Sequence, residues 1–278
     1  MNIALMSHDN RKDLMVQFCT AYAGILSQHN IYATNTTGHM VAEATGLKGQ
    51  PSVEFSKHCP SIWFSEPFNM GYFFYYPMIL VVVEAAIKSD KAGRARQVRH
   101  EIDFIMKRRE ETEKLLKLNA EGSIPERITH NDTKVNNILI DDLTGEGICV
   151  IDLDTVMPGL ALYDFGDMVR AGTSAAEEDE VNLEKVGMRF EMYEALFRGF
   201  LSSAGGFLTP AERENLPFAG KLITLETAIR FLTDYLEGDV YFKTRRPHHN
   251  LDRCRNQLKI VESIESQMNE MKKLLKQA

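Results

Sequence analysis

The sequence predicts an α+β protein: a mainly helical C-terminal region with a small β-hairpin, preceded by a short β-α-β-α segment. Three observations carry this expectation. Apolar residues recur at helical spacing through most of the chain beyond about residue 90. Two short apolar segments, "NILI" and "GICVI", flank the turn-rich "DDLTGEG" of residues 141–147, a hairpin pattern. The first fifty residues instead alternate strand and helix signals, the start of a parallel sheet.

In chain order, "NIALMSH" reads as a strand and "RKDLMVQFCTAYAGILSQH" as a helix with Leu14, Phe18, Tyr22, Ile25 and Leu26 on one side. "NIYATN" is a second strand. "TTGHMVAEATG" becomes a second helix that stops at Gly46. The composition shifts at Gly49-Gln50-Pro51, the best junction in the chain. Residues 51–89 form a turn-rich, aromatic and apolar bridge. From about residue 90, "VRHEIDFIMKRREETEKLLKLNAEG" reads as one charged amphipathic helix with Ile102, Ile105, Leu115 and Leu116 inward. "EDEVNLEKVGMRFEMYEALFRGFLSS" and "FAGKLITLETAIRFLTDYLEGDVYF" are helical. The last helix, from Asn250, lines up Leu258, Val261, Ile264, Met268, Met271 and Leu275 as a packing stripe. Three zones follow: 1–50, 51–89 and 90–278.

Composition narrows the function. Hydrophobic content of 44% and charged content of 26% fit a globular protein. A net charge of -7 repels phosphate backbones, so nucleic acid is not an expected partner. Cys19, Cys59, Cys149 and Cys254 form no CxxC pair or metal cluster, and read as reduced thiols of a cytoplasmic protein. The N-terminus shows no secretory pattern. Residues 67–83 carry no charge, but Pro77 and the hydroxyls of Tyr72, Tyr75 and Tyr76 favour a buried segment over a membrane span.

"ITHNDTKVNN" carries the chemistry. Phosphoryl transfer needs a carboxylate to orient the attacking hydroxyl, hard oxygen ligands for Mg²⁺, and groups that hold the phosphates. Asp132 occupies the position of the base, and Asn137 follows five residues later. Asp152 of "VIDLDT" ends the next apolar strand, so a hairpin returns it beside Asn137. An amide and a carboxylate together suit Mg²⁺.

"THNDTKVNNILIDD" and "CVIDLDTVMPGLALYDFGDMVRAGTS" resemble the N-acetylhexosamine 1-kinases of the aminoglycoside/choline kinase superfamily. The resemblance runs from about Asp90 to the C-terminus. It implies a kinase-like lobe that phosphorylates the anomeric hydroxyl of an N-acetylhexosamine, with Mg²⁺ and ATP as co-substrate. It implies Asp132 as catalytic base and Asn137 and Asp152 as metal ligands. Arg230 and Tyr241 match sugar-holding positions, and Asn136 is carried over with them. His130 becomes a loop-shaping residue, and Asp164 and Asp167 of "YDFGD" stabilise local structure. Such kinases place a β-sheet lobe before the catalytic lobe. Lys12, Lys48, Lys57 and Lys88 are the lysines before residue 90, and none follows a glycine-rich hairpin in a strand. Each lost phosphate contact is expected to cost about 2–4 kcal/mol of transition-state stabilisation, so the activity is expected to be impaired.

"IALMSHDNRK" and "YATNTTGHMVAEATGL" resemble the start of methylglyoxal synthase, which converts dihydroxyacetone phosphate without a metal. A Thr-rich loop before a helix N-terminus offers donors to a phosphate. By this resemblance His8, Lys12, Thr34, Thr36, Thr37 and Gly38 bind phosphate, with Asn35 in place of the usual Gly. The family's next loop, which bears its catalytic Asp, is replaced by "GQPSVEFSKHCP". The chain therefore reads as a fusion of two truncated parts. Lyase chemistry, simple phosphate binding and an inactive fusion product are the alternatives to kinase activity. The exposed sheet edge of the first segment, or the apolar bridge, is expected to favour self-association.

Overall fold

The computed structural model describes residues 2–5, 16–17, 19–20, 23–27, 30–33, 35–46 and 76–277. The chain divides into two compact units, Met1–Phe68 and Asn69–Ala278.

In the first unit, β1 (Asn2–Leu5) and β2 (Asn30–Ala33) pair in parallel, with Asn2 opposite Asn30 and Leu5 opposite Ala33. Helical residues lie between them, including the short α1 (Ala23–Leu26). Helix α2 (Asn35–Thr45) follows β2 almost directly. It ends at Gly46, whose φ of +69° suits a residue without a Cβ. Thr36, Thr37 and Gly38 were expected in a loop ahead of this helix, and they lie in its first turn instead.

The second unit is mainly helical with two small antiparallel sheets, in line with the α+β expectation. Helix α3 (Tyr76–Ser89) forms from the second half of the apolar run. Its Leu80, Val83 and Ala86 are buried in a cluster with Leu225, Ile229 and Leu232. Among the described residues no helix is long and apolar enough to cross a membrane.

The single helix expected over residues 98–122 is broken into α4 (Arg99–Met106) and α5 (Lys114–Ala120), joined by a 3₁₀ turn at Arg109–Glu113. Ile105 and Leu115 do face inward. The break has a cause. Arg108 turns its guanidinium onto Glu265 with two parallel bonds, Nε to Oε1 at 2.8 Å and Nη2 to Oε2 at 2.7 Å. Its Nη1 also donates to the carbonyl of Phe104 at 2.9 Å, which ends the preceding helix. A forked pair of this kind outweighs the small propensity gain of two more helical residues.

β3 (Arg127–Thr129) pairs antiparallel with β6 (Met157–Gly159). Between them, β4 (Ile138–Ile140) and β5 (Gly147–Val150) form the expected hairpin. Asp141 shapes its turn by accepting from the amides of Leu143 and Thr144. Helix α6 (Ala161–Gly172) leads to α7 (Phe190–Ala204). Residues 178–189, expected to be helical, are not, apart from a 3₁₀ turn at Leu183–Lys185. Their backbone is spent on distant partners: Met188 N donates to Ser263 and Arg189 N to the carbonyl of Thr173.

Helix α8 (Pro210–Glu237) is the central element and is buried on nearly every side. Thr209 and Glu212 close a capping box at its start, Thr209 N donating to Glu212 at 2.7 Å and Glu212 N to Thr209 at 3.1 Å. Gly238, at φ +102°, ends it. Residues 239–242, expected within this helix, therefore form a loop. Helix α9 (His249–Gln277) packs along α8, and of the expected stripe Leu258, Val261, Ile264 and Met271 are buried while Met268 and Leu275 are partly so.

Helices α6 and α8 approach closely at Gly166. A Cβ there would lie 2.5 Å from Ile223 Cγ1 and 2.6 Å from the carbonyl oxygen of Ala219. Backbone cannot yield as a side-chain tip can. Gly166→Ala is expected to destabilise the protein by about 2–3 kcal/mol, read as a lower midpoint in urea. An unchanged midpoint would mean that the helices are further apart.

Candidate active site

The loop from Thr129 to Asn137 is held from below by α6. The carboxylate of Asp164, in the helix's first turn, accepts from His130 N at 2.9 Å and Asn131 N at 2.7 Å. Thr133 Oγ1 donates to the carbonyl of the same residue at 2.7 Å. Burial pushes the Asp164 carboxyl up, against the pull of the two loop amides that favour its ionised form. Asn131 adopts φ +63°, and its side chain bridges Thr129 and Thr155. Thr155 Oγ1 in turn donates to the carbonyl of His130 at 2.6 Å. His130 Nδ1 accepts from Asp132 N at 3.3 Å, and Nε2 lies 2.9 Å from the carbonyl of Ile151. An Nε2–H tautomer satisfies both contacts, tying the loop to the hairpin.

These anchors present Asp132 half-buried. Its Oδ2 accepts from Lys134 Nζ at 2.6 Å and from Asn137 Nδ2 at 2.9 Å. Asn137 is buried and also donates to the Asp132 carbonyl at 2.8 Å. The hairpin register then decides where Asp152 falls. Ile138 faces Val150, and Ile151 N donates to the carbonyl of Asn137 at 2.9 Å. Asp152 is the next residue, exposed and turned by φ +63°. Burial and the neighbouring Asp152 charge push the Asp154 carboxyl up.

This donor set can be tested against Mg²⁺. Among the described residues no three His, Cys, Asp or Glu side chains converge to hold a metal alone. Mg²⁺ does not need three, since it takes one or two carboxylates and completes its shell with phosphate oxygens and water. Asp152 with the amide oxygen of Asn137 is such a pair, and the adjacent negative charges of Asp152 and Asp154 would be relieved by a cation. The residues fit the ion.

Residues 84–196 match the phosphotransferase enzyme family, APH. The matched segment contains the loop, the hairpin and α6, and it supports a phosphotransferase-type function. A 48-residue N-terminal stretch is 62% identical to methylglyoxal synthases of Caldicellulosiruptor saccharolyticus and Caldicellulosiruptor bescii, covering 17% of this chain and 34% of each relative. It is 54% identical to the methylglyoxal synthase of Oceanobacillus iheyensis over 48 residues, with the same coverage. The chain spans about a third of the length of these relatives.

The other expected site residues fall as follows. Asn136 is exposed beside Asn137. Arg230 and Tyr241 come together around Phe242: the guanidinium lies 5.4 Å from its ring centre, and the Tyr241 ring meets it edge-on at 4.7 Å. Asp167 pairs with Arg170 at 2.7 Å, inside the fold. His8, Lys12 and Thr34 lie outside the described residues. Two contributors were not singled out from sequence. Lys134 was visible two residues after Asp132. Asp234, buried on α8, gathers the loop that carries Tyr241, and nothing in its local sequence marks it.

Proposed function

We propose that this protein is an ATP-dependent phosphotransferase that phosphorylates an N-acetylhexosamine at its anomeric hydroxyl. The observation that carries the reading is the single constellation of Asp132, Asn137 and Asp152, set by loop anchors and hairpin register. Asp132 Oδ2 accepts from Lys134 and Asn137, which leaves Oδ1 to take the substrate in this reading. A sugar hydroxyl at Oδ1 is oriented for attack, and its proton passes to that oxygen as the bond to phosphorus forms. Asp152 and the side-chain oxygen of Asn137 would hold Mg²⁺, which would neutralise charge on the phosphates. Asn136, Arg230 and Tyr241 hold the sugar ring, and the protein works in the cytoplasm.

The test is sugar 1-phosphate formation by the purified chain with N-acetylglucosamine or N-acetylgalactosamine and MgATP. Slow turnover, abolished by chelation of the metal, is the expected result. No sugar 1-phosphate with either sugar would overturn the reading.

A second reading belongs to the first unit and rests on its identity to methylglyoxal synthases. There, His8, Lys12, Thr34, Thr36, Thr37 and Gly38 would bind a phosphate such as that of dihydroxyacetone phosphate, α2 offering its N-terminal amides. Methylglyoxal appearing from that substrate without metal would favour it. Self-association is proposed through the edges of the β1–β2 pair, which no other described strand covers. A clean monomer by light scattering would count against it.

A further inference from the structure

We propose that Asp179 is a positioning residue for the acceptor sugar: through His249 it fixes the loop of residues 239–248, which carries Tyr241. The proposal rests on the kinase reading, in which Tyr241 holds the sugar, and adds a residue to which that reading gives no part. Three consecutive residues beyond α6 are each gripped by the start of α9 or by the residues just before it. Asn256 Nδ2 donates to the carbonyl of Glu177 at 2.9 Å. The Glu178 carboxylate lies 3.9 Å from Arg253 Nε and accepts from Arg170 of α6 at 3.1 Å. Asp179 Oδ2 lies 2.8 Å from His249 Nε2, and the Asp179 carbonyl accepts from Arg246 Nη2 at 3.0 Å. His249, Arg253 and Asn256 follow one another by four and three residues, so one face of α9 supplies all three.

The acceptor loop rests on two of these same residues. Arg245 N donates to His249 Nδ1 at 3.1 Å, and Arg253 Nη1 to the carbonyl of Lys243 at 3.4 Å. His249 is buried and answers two demands at once. A backbone amide can only donate, so Nδ1 must offer its lone pair to Arg245. The ring's proton then sits on Nε2, and the Asp179 carboxylate accepts it there. Asp179 thus selects the tautomer and fixes the plane of the ring on which the second half of the loop rests. Asp234 holds the first half, through the amides of Val240, Tyr241 and Phe242. Without Asp179 the buried Nε2–H loses its acceptor, a second tautomer becomes available, and the Arg245 amide loses a defined partner. The loop then shifts beneath Tyr241, while Asp132, Asn137 and Asp152 keep their places on other elements. A change of that kind weakens the hold on the sugar and spares the chemical step.

The experiment compares wild type, Asp179→Ala and Asp179→Asn with MgATP and N-acetylglucosamine. Asp179→Ala is expected to raise the KM for the sugar about tenfold. Its kcat and its KM for ATP should stay within about threefold of wild type, with a melting temperature close to wild type. Asp179→Asn keeps an oxygen that accepts from Nε2–H, and should return the sugar KM to within about threefold of wild type. A sugar KM unchanged in Asp179→Ala, a loss confined to kcat, or a loss that Asp179→Asn shares in full would overturn the proposal. A second measurement does not depend on turnover: amide hydrogen exchange of the peptides that cover residues 243–248. Asp179→Ala should exchange there about tenfold faster than wild type, with the hairpin of residues 138–150 unaltered. Equal exchange in the loop overturns the role of Asp179. A wild type that makes no sugar phosphate, beside a loop loosened by Asp179→Ala, overturns the kinase reading and leaves the loop's dependence on Asp179 standing.

Discussion

Asp132→Asn is expected to lower kcat for sugar phosphorylation about 10²–10⁴-fold, the range for removing a general base. The substitution keeps the shape of the side chain and can still accept from Lys134 and Asn137, which now meet Asp132 Oδ2 at 2.6 and 2.9 Å. It removes the ability to take up the hydroxyl proton. Binding of MgATP and of sugar should therefore change little, and thermal stability should stay close to wild type. Steady-state kinetics with a melting curve separates the two effects. Activity within tenfold of wild type would show that another group accepts the proton. A large loss of stability would show that Asp132 is mainly a structural anchor for Asn137.

Asp234→Ala is expected to be the most destabilising single change, by about 3–4 kcal/mol. The carboxylate is 3% exposed and serves four donors. Val240 N and Tyr241 N donate to Oδ1 at 2.9 and 2.6 Å, and Phe242 N and Asn250 Nδ2 to Oδ2 at 2.9 and 2.8 Å. An alanine leaves all four facing a void. Water entering the gap limits the cost to less than the sum of four lost bonds. The midpoint of thermal unfolding should fall by roughly 10 °C. Affinity for the sugar should fall further than stability alone explains, because the loop holds Tyr241 against Phe242 beside Arg230. Asp234→Asn, which keeps one acceptor oxygen, should lie between the two. A variant of wild-type stability would mean that the loop is held by Arg94 and Asp239, which pair at 2.5 Å.

Arg170 shows why such buried charges are tolerated. Its pairing with Asp167 at 2.7 Å and Glu178 at 3.1 Å holds its ionised form in place despite burial. A comparable network joins Lys221 of α8 and Glu265 of α9 to Arg108 and Glu111 at the 3₁₀ turn after α4. The second network was not visible beforehand, since its partners lie up to 157 residues apart.

The sequence by itself determined the hairpin and the spacing of Asp132, Asn137 and Asp152. Those features are local: two short apolar strand segments, a turn whose Asp141 bonds its own neighbours, and four residues between the loop Asp and Asn. It also determined α9 and the burial of Ile105 and Leu115, because helical periodicity reports which face turns inward. Only the tertiary structure decided where helices stop. Residues 98–122 and 178–189 have helical composition, yet Arg108 finds Glu265 and Met188 finds Ser263, and each contact is worth more than the propensity it overrides. The tertiary structure alone also gave Asp234 its role, and showed which amides Asp164, read beforehand as stabilising local structure, holds. Asp164 gathers amides from a loop more than thirty residues before it and Asp234 those of the loop that follows its own helix, and no periodic pattern records which amides will arrive.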